Sequence, residues 1–300
     1  MTNVSTKPKK NHSKLIFYIA LMAFPVLQFC VFYIGVNLQS ILLAFQQYDG
    51  LNSKFFVNWD EFWCNFQQIF KDIDMLWSCL KNSLVVWLFT TVIGTVGAIM
   101  FSYYIFKRKK VGKIFKFVLF IPSILPSILM SSMFQNFCNE ILPVFLHTDR
   151  LMSLVKTDAN LLFAMSVFYT IWIGFGTQVL LYTGAMEQVS VSVLEAGKLD
   201  GVSPLRELWN IILPQIMPTI GTFLVAGVAG IFISQANMYN FFGESAPANI
   251  QTIGYYLFKM TQQNGAEQYY PYLSALGLCC TALAVPPTLL MRKFFKRFED

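Results

Sequence analysis

Six long apolar runs, at about 15–45, 83–106, 114–134, 161–182, 219–239 and 272–291, constrain this chain more than any other feature. Beyond Lys116 near the start of the third, none contains an Asp, Glu, Lys or Arg. About 20 helical residues cross the hydrocarbon of a bilayer, and only helices or closed barrels satisfy their own backbone hydrogen bonds there. The runs therefore predict an all-α polytopic membrane protein with six transmembrane helices. Composition agrees, since 13% charged residues is about half of what soluble domains carry. The first run is too long for the apolar core of a signal peptide, about 7–15 residues, and lacks a small-residue cleavage site. It is read as a retained span that outruns the hydrocarbon or kinks at Pro25.

With the charges confined to tails and loops, orientation becomes countable. An internal amino terminus places 16 of the 22 Lys and Arg inside: in the tail 1–14, in Lys107–Lys116, in the loop around Gly201 and in the tail 292–300. The positive-inside rule then puts both termini and that loop in the cytoplasm. The net charge of +6 is read as this orientation signal, not as a nucleic-acid footprint. On the other side, Gln46–Lys81 carries Trp59, Trp63 and five phenylalanines, as expected of an amphipathic helix anchored at the outer interface.

The segment 188–218 is the long charged stretch between spans that is neither membrane nor tail. Ser192 and Glu195 have capping-box spacing. Asp200-Gly201 stops the first helix, because glycine accepts the left-handed conformation that ends it. Ser203-Pro204 restarts it, with serine as N-cap and proline at the first helical position. Leu205, Leu208, Trp209 and Ile212 fall on one helical face, which Pro214 is expected to close. The pattern predicts two short helices around a turn, and an ordinary connecting hairpin would look the same.

Glu195-Ala196-Gly197-x-x-Asp200-Gly201-Val202, then Leu208-x-x-Ile211-x-Leu213-Pro214 and Pro218, resembles the EAA loop of bacterial ABC-transporter permeases. Gly197 and Val202 stand where alanine is usual in that family, and Leu208 where phenylalanine is. The resemblance implies a type I importer fold, with 15–291 as a six-span permease domain and 188–218 as the cytoplasmic coupling loop. It implies that Leu194, Glu195, Ala196, Gly197, Leu199, Asp200, Gly201, Leu205, Leu213 and Pro214 build or face a docking site for a separate ATPase. On this likeness Glu195, Asp200 and Gly201 shape the loop, while Leu194, Leu199 and Leu205 offer its docking face. Phe120-Ile121-Pro122-x-x-x-Pro126 resembles another element of sugar permeases, and either a pathway irregularity or a plain kink accounts for its prolines. Ser245-Ala246-Pro247 replaces the family's Gly-Gly-Pro turn. The implied partners are a second, different permease chain, two ATPase subunits, an extracytoplasmic solute-binding protein, a carbohydrate and membrane lipid, with no nucleic acid. The implied location is the bacterial cytoplasmic membrane.

No enzymatic constellation is present. His12 and His147 lack a metal-ligand spacing, and there is no GxxxxGK[ST] phosphate cradle, so no cofactor is expected in this chain. ATP and magnesium would belong to the partner ATPase. The six cysteines form no C-x-x-C pair. For a solute pathway, Ser234, Gln235, Asn237 and Tyr239 cluster in the outer half of the fifth run, with Trp172 and Gln178 in the fourth as further candidates. Neutral donors and acceptors beside rings suit a sugar; the same residues also serve as interhelical hydrogen-bond glue. A secondary transporter or channel is the alternative, but it would carry buried ionisable residues or an inverted repeat. An importer for a non-sugar solute is the other.

Overall fold

The computed structural model describes residues 12–50, 54–141, 144, 158–263 and 265–298. The basic residues Lys7, Lys9 and Lys10, Arg150 and Lys156, and His147 lie outside them. Among the described residues, five helices are long and apolar enough to cross a bilayer: Ile16–Leu43, Ile73–Lys107, Ala159–Glu187, Pro204–Ala229 and Glu267–Phe298. A sixth span is a pair of helices, Gly112–Ile124 and Ser127–Ile141, bent by 100°. The break is local chemistry. Leu125 is held extended by the proline that follows it, and Pro126, lacking an N–H, sits at the start of the second helix.

The chain separates into two compact units. One comprises the residues up to Gln67 with Gln268–Leu278; the other comprises Gln68–Glu267 with the residues from Cys279 onward. The first begins with α1 (His12–Gln28), a π-helical stretch Phe29–Gly35 and α2 (Val36–Leu43). It continues into an antiparallel pair, β1 (Gln47–Asp49) and β2 (Lys54–Phe56), with Tyr48 opposite Phe55. This hairpin is not apparent in the sequence, where the region reads as one amphipathic helix. Asn65 fixes the turn into it by donating to the Ala44 and Gln46 carbonyls, both at 2.9 Å. The aromatics form a nest around Phe45, which stacks on Phe62 at 4.7 Å and meets Trp63 edge-on. Cys64–Lys71 (α3) is helical and amphipathic as expected, and the region's last residues, from Ile73, already belong to the next long helix.

The second unit is built on α4 (Ile73–Lys107), α5 (Lys109–Ile124), α6 (Ser127–Asn136) and α7 (Ala159–Glu187). After these come α8 (Val191–Leu199), α9 (Pro204–Glu207) and α10 (Leu213–Ala229). Then follow α11 (Met238–Phe242), α12 (Ile253–Gln262) and α13 (Tyr270–Phe295), the last shared between the units. The pair α4 and α7 carries the most extensive packing, fastened by a buried bond from Ser102 Oγ to the Val179 carbonyl, 3.0 Å. Where α5 crosses α7, a Cβ on Gly176 would collide with the Leu119 carbonyl, so glycine is what permits that approach.

Two expectations about the fifth run are corrected. Pro214 does not end a short helix. A π turn, Leu208–Ile212, precedes it, with the Leu213 N–H reaching back to the Leu208 carbonyl, and the helix runs on to Ala229. The wider turn relieves the clash a proline ring makes with the carbonyl four residues back. The run also stops at Ala229, not Tyr239. Ala236 and Asn237 take left-handed conformations, φ 48° and 56°, which no helix accommodates.

Candidate functional site

The segment after α7 folds through local chemistry. Ser190, not Ser192, is the N-cap of α8, and the two hydroxyls lie 2.7 Å apart. The capping box therefore does not form, because the third helical residue is then Val193 and no glutamate can reciprocate. At the other end Asp200-Gly201 behaves as expected. Gly201 has φ 67°, its N–H bonds the Lys198 carbonyl at 3.1 Å, and the Val202 N–H bonds the Gly197 carbonyl at 3.0 Å. This crossed pair is the Schellman arrangement, which satisfies carbonyls that the helix end leaves free. Ser203 and Pro204 open α9, also as expected.

The π turn advances the helix phase, so Leu208, Ile212, Ile216 and Ile220 form one buried stripe against Ala98, Ile105, Val179, Tyr182 and Met186. Leu205 and Trp209 are thrown outward, 66% and 64% exposed. Leu199 is 89% exposed at the tip of α8. Leu194 and Leu213 instead pack on the buried stripe. Gly197 is buried, with a Cβ there only 2.7 Å from the end of Ile211. Glu195, Ala196 and Pro214 are on the surface. Of the three leucines expected on a docking face, the fold presents Leu199 and Leu205 and turns Leu194 inward.

Two ion pairs clamp this end. Lys107 Nζ lies 2.6 Å from both carboxylate oxygens of the buried Glu207 and donates to Oε2, while Tyr103 Oη donates to the Pro204 carbonyl at 2.9 Å. Lys116 holds Glu187 at 2.6 Å. Sequence reasoning missed both pairs, since partners 100 and 71 residues apart leave no local signature.

At the other end of α10 is a cavity of about 230 Å³, walled by Trp87, Thr91 and Thr95 of α4, Gln178 of α7, Gly227 of α10, and Ser234. No described wall residue is charged. Trp87 Nε1 and Gln178 Oε1 are buried there without a hydrogen-bond partner among the described residues. A buried donor and acceptor left unmatched carry a desolvation penalty of about 1–3 kcal/mol each, which a polyol could remove. The threonines and Trp87 had no distinguishing pattern in the second run.

Of the four residues expected to meet solute, only Ser234 lines this cavity. Asn237 Nδ2 donates to Thr170 Oγ1 at 3.1 Å, and Tyr239 meets Phe258 edge-on at 4.8 Å. Gln235 is half-buried outside the cavity wall, and Trp172 belongs to a ring cluster with Phe134 and Tyr169. These residues hold the corner that follows α10. Thr252 Oγ1 donates to the Ser234 carbonyl at 3.0 Å and caps α12 by accepting from Tyr255 N at 3.2 Å. Gly254 lies so close to the Ile233 carbonyl that no side chain fits.

The segment beyond the corner reads as polar in sequence but is largely internal. Asn82 donates to the Asn249 and Gln251 carbonyls at 2.8 and 3.0 Å, and Ile253 N donates to Ser83 Oγ at 3.0 Å. Tyr255 Oη donates to the Gly243 carbonyl at 2.8 Å and accepts from Ala246 N at 3.2 Å. Burial pushes the Tyr255 phenol above its usual range, so it stays a protonated donor.

Residues 91–300 match the family described as binding-protein-dependent transport system inner membrane component. The chain is 22% identical to the multiple sugar-binding transport system permease protein MsmF of Streptococcus mutans, with 92% of this chain and 93% of that one covered. It is 20% identical to the probable ABC transporter permease protein YurN of Bacillus subtilis, over 97% and 99%. Among solved structures it resembles, at 18% identity and a TM-score of 0.77, a chain of a bacterial ABC transporter that imports the acidic polysaccharide alginate, covering 95% and 96%.

Proposed function

The chain belongs to the family of binding-protein-dependent transport system inner membrane components, and from that premise we propose that it is one transmembrane half of an ATP-driven importer for a neutral saccharide. The observation that carries this reading is the continuity of Pro204–Ala229, 26 residues, about 39 Å of helix. One end abuts the exposed Leu199 and Leu205; the other contributes Gly227 to the uncharged cavity. A push on the Gly201 hairpin reaches the cavity as movement of a single rod along its buried stripe, while Lys107–Glu207 ties the rod's base to α4.

Mechanistically, a separate pair of ATPase subunits, holding ATP and magnesium, grips Leu199 and Leu205 on the cytoplasmic side. Their closure moves the rod and opens the cavity outward. A binding protein delivers solute, and hydrolysis resets the pair inward. The positive-inside distribution supports this orientation, with both termini cytoplasmic. A second, different permease chain completes the pathway. The name of MsmF and the alginate transporter solved with a pentasaccharide-bound periplasmic protein support a saccharide and a delivering protein. The lack of charge around Trp87 and Gln178 supports a neutral one. Of the docking residues, Leu199 and Leu205 make contact; Leu194, Gly197 and Leu213 hold the hairpin in place.

The test is co-purification. A tagged chain expressed with candidate permease and ATPase partners is expected to retain the ATPase. Gly201→Val, which still inserts but resists φ 67°, is expected to lose it. Solute flux through vesicles holding this chain alone, with no ATPase retained by either form, would overturn the reading in favour of ATP-independent transport.

A further inference from the structure

A second cavity, of about 360 Å³, opens between α6, the start of α7 and α11, within the range of small-molecule sites. Among the described residues, its wall holds no charged one. Phe134, Phe241 and Phe242 supply rings, and Gln135, Asn139 and Ser245 supply neutral hydrogen-bonding groups. The rings are fixed in place: Phe241 meets Tyr169 edge-on at 4.9 Å, and Phe134 packs on Tyr169 at 5.1 Å. Gln135 is fixed too, its Nε2 donating to the Phe241 carbonyl at 3.0 Å, which leaves its oxygen as an acceptor.

Helix α6 does not continue regularly into this wall. It widens into a π turn, Phe137–Ile141, and two residues of that turn, Cys138 and Asn139, line the cavity. π turns recur at functional sites because the extra residue re-aims side chains that a regular helix would direct elsewhere. Asn139 brings its side-chain carboxamide to the cavity wall. It therefore presents two donors and an acceptor beside immobilised rings, the combination that matches a sugar's hydroxyls and its C–H face. Along α7, Ser166 of this cavity and Gln178 of the first are twelve residues apart, about 18 Å of helix.

We propose that this cavity is a second saccharide subsite, which binds a neutral oligosaccharide on the far side of the corner from the Trp87–Gln178 cavity. It rests on the reading that the chain transports a neutral saccharide. Asn139 and Gln135 take the hydroxyls, and Phe241 takes a ring face.

The test uses the assembled transporter, with partner permease, ATPase pair and binding protein, in lipid nanodiscs and vesicles. Maltotetraose, cellotetraose and raffinose are first screened for uptake. If none is taken up, the neutral-saccharide reading itself fails. With a transported sugar in hand, Cys138 is kept as the sole cysteine and its alkylation by N-ethylmaleimide is timed. The sugar is expected to slow alkylation at least fivefold. Asn139→Leu is expected to raise the uptake KM about tenfold, as loss of a hydrogen bond to solute would. Unaltered KM in Asn139→Leu, with transport intact, would overturn the subsite whether or not Cys138 reacts.

Discussion

Lys107 and Glu207, 100 residues apart in sequence, meet as a bidentate ion pair at 2.6 Å between the end of α4 and the base of the rod formed by α9 and α10. Glu207 is 5% exposed, whereas the Lys107 side chain keeps 34% of its surface. Removing the lysine strands a buried carboxylate. Lys107→Ala should destabilise the protein by about 2–3 kcal/mol, less than a fully buried pair because water reaches the ammonium. The double variant Lys107→Met with Glu207→Leu should recover most of that. Thermal unfolding of the three forms in detergent measures it, and a double variant no better than the single would sink the account.

Leu199 and Leu194 separate docking from support. Leu199→Asp changes a side chain that is 89% exposed, so its melting temperature should match the parent while ATPase co-purification falls. Leu194→Asp buries a carboxylate against the stripe of Leu208 and Ile212, and should lower stability itself by several kcal/mol. Equal loss of ATPase with equal melting behaviour would show that the two leucines share one role.

Half-buried Gln178 lines the first cavity with its Oε1 atom buried and unmatched among the described residues. Gln178→Leu removes that desolvation penalty and should stabilise the free protein by about 1–2 kcal/mol. Uptake of saccharide should nonetheless fall. A variant both less stable and fully active would make the residue structural.

Thr252 serves two elements through one hydroxyl, capping α12 and holding the Ser234 carbonyl. Thr252→Val keeps the shape and loses both bonds. The expected loss is about 2 kcal/mol, one cap and one buried hydrogen bond, together with a raised KM for solute, because Ser234 lines the cavity. Chemical denaturation and uptake assays together check it.

Gly176→Ala sets a methyl against the Leu119 carbonyl, where backbone must give way. A cost of about 1–3 kcal/mol, or failure to accumulate in the membrane, is expected. Normal yield and stability would mean that α5 and α7 can separate freely.

What could be read from the sequence was what neighbouring residues decide. Charge-free runs marked the spans because hydrocarbon excludes charge whatever the fold. Asp200-Gly201 and Ser203-Pro204 marked the hairpin because caps and turns close within about five residues. The bend at Pro126 is of the same kind. Tertiary structure decided the rest. Ser190, not Ser192, became the N-cap, and Pro214 was absorbed by the π turn Leu208–Ile212 that precedes it. The fifth run stopped at Ala229 because Thr170, Thr252 and Gly254, distant in sequence, hold the following corner in a left-handed conformation. The uncharged cavity gathers Trp87, Gln178 and Ser234 from three separate segments. Desolvation and capping act locally and leave their pattern in the chain, whereas a pairing such as Lys107 with Glu207, or a cavity, exists only once helices far apart in sequence have packed.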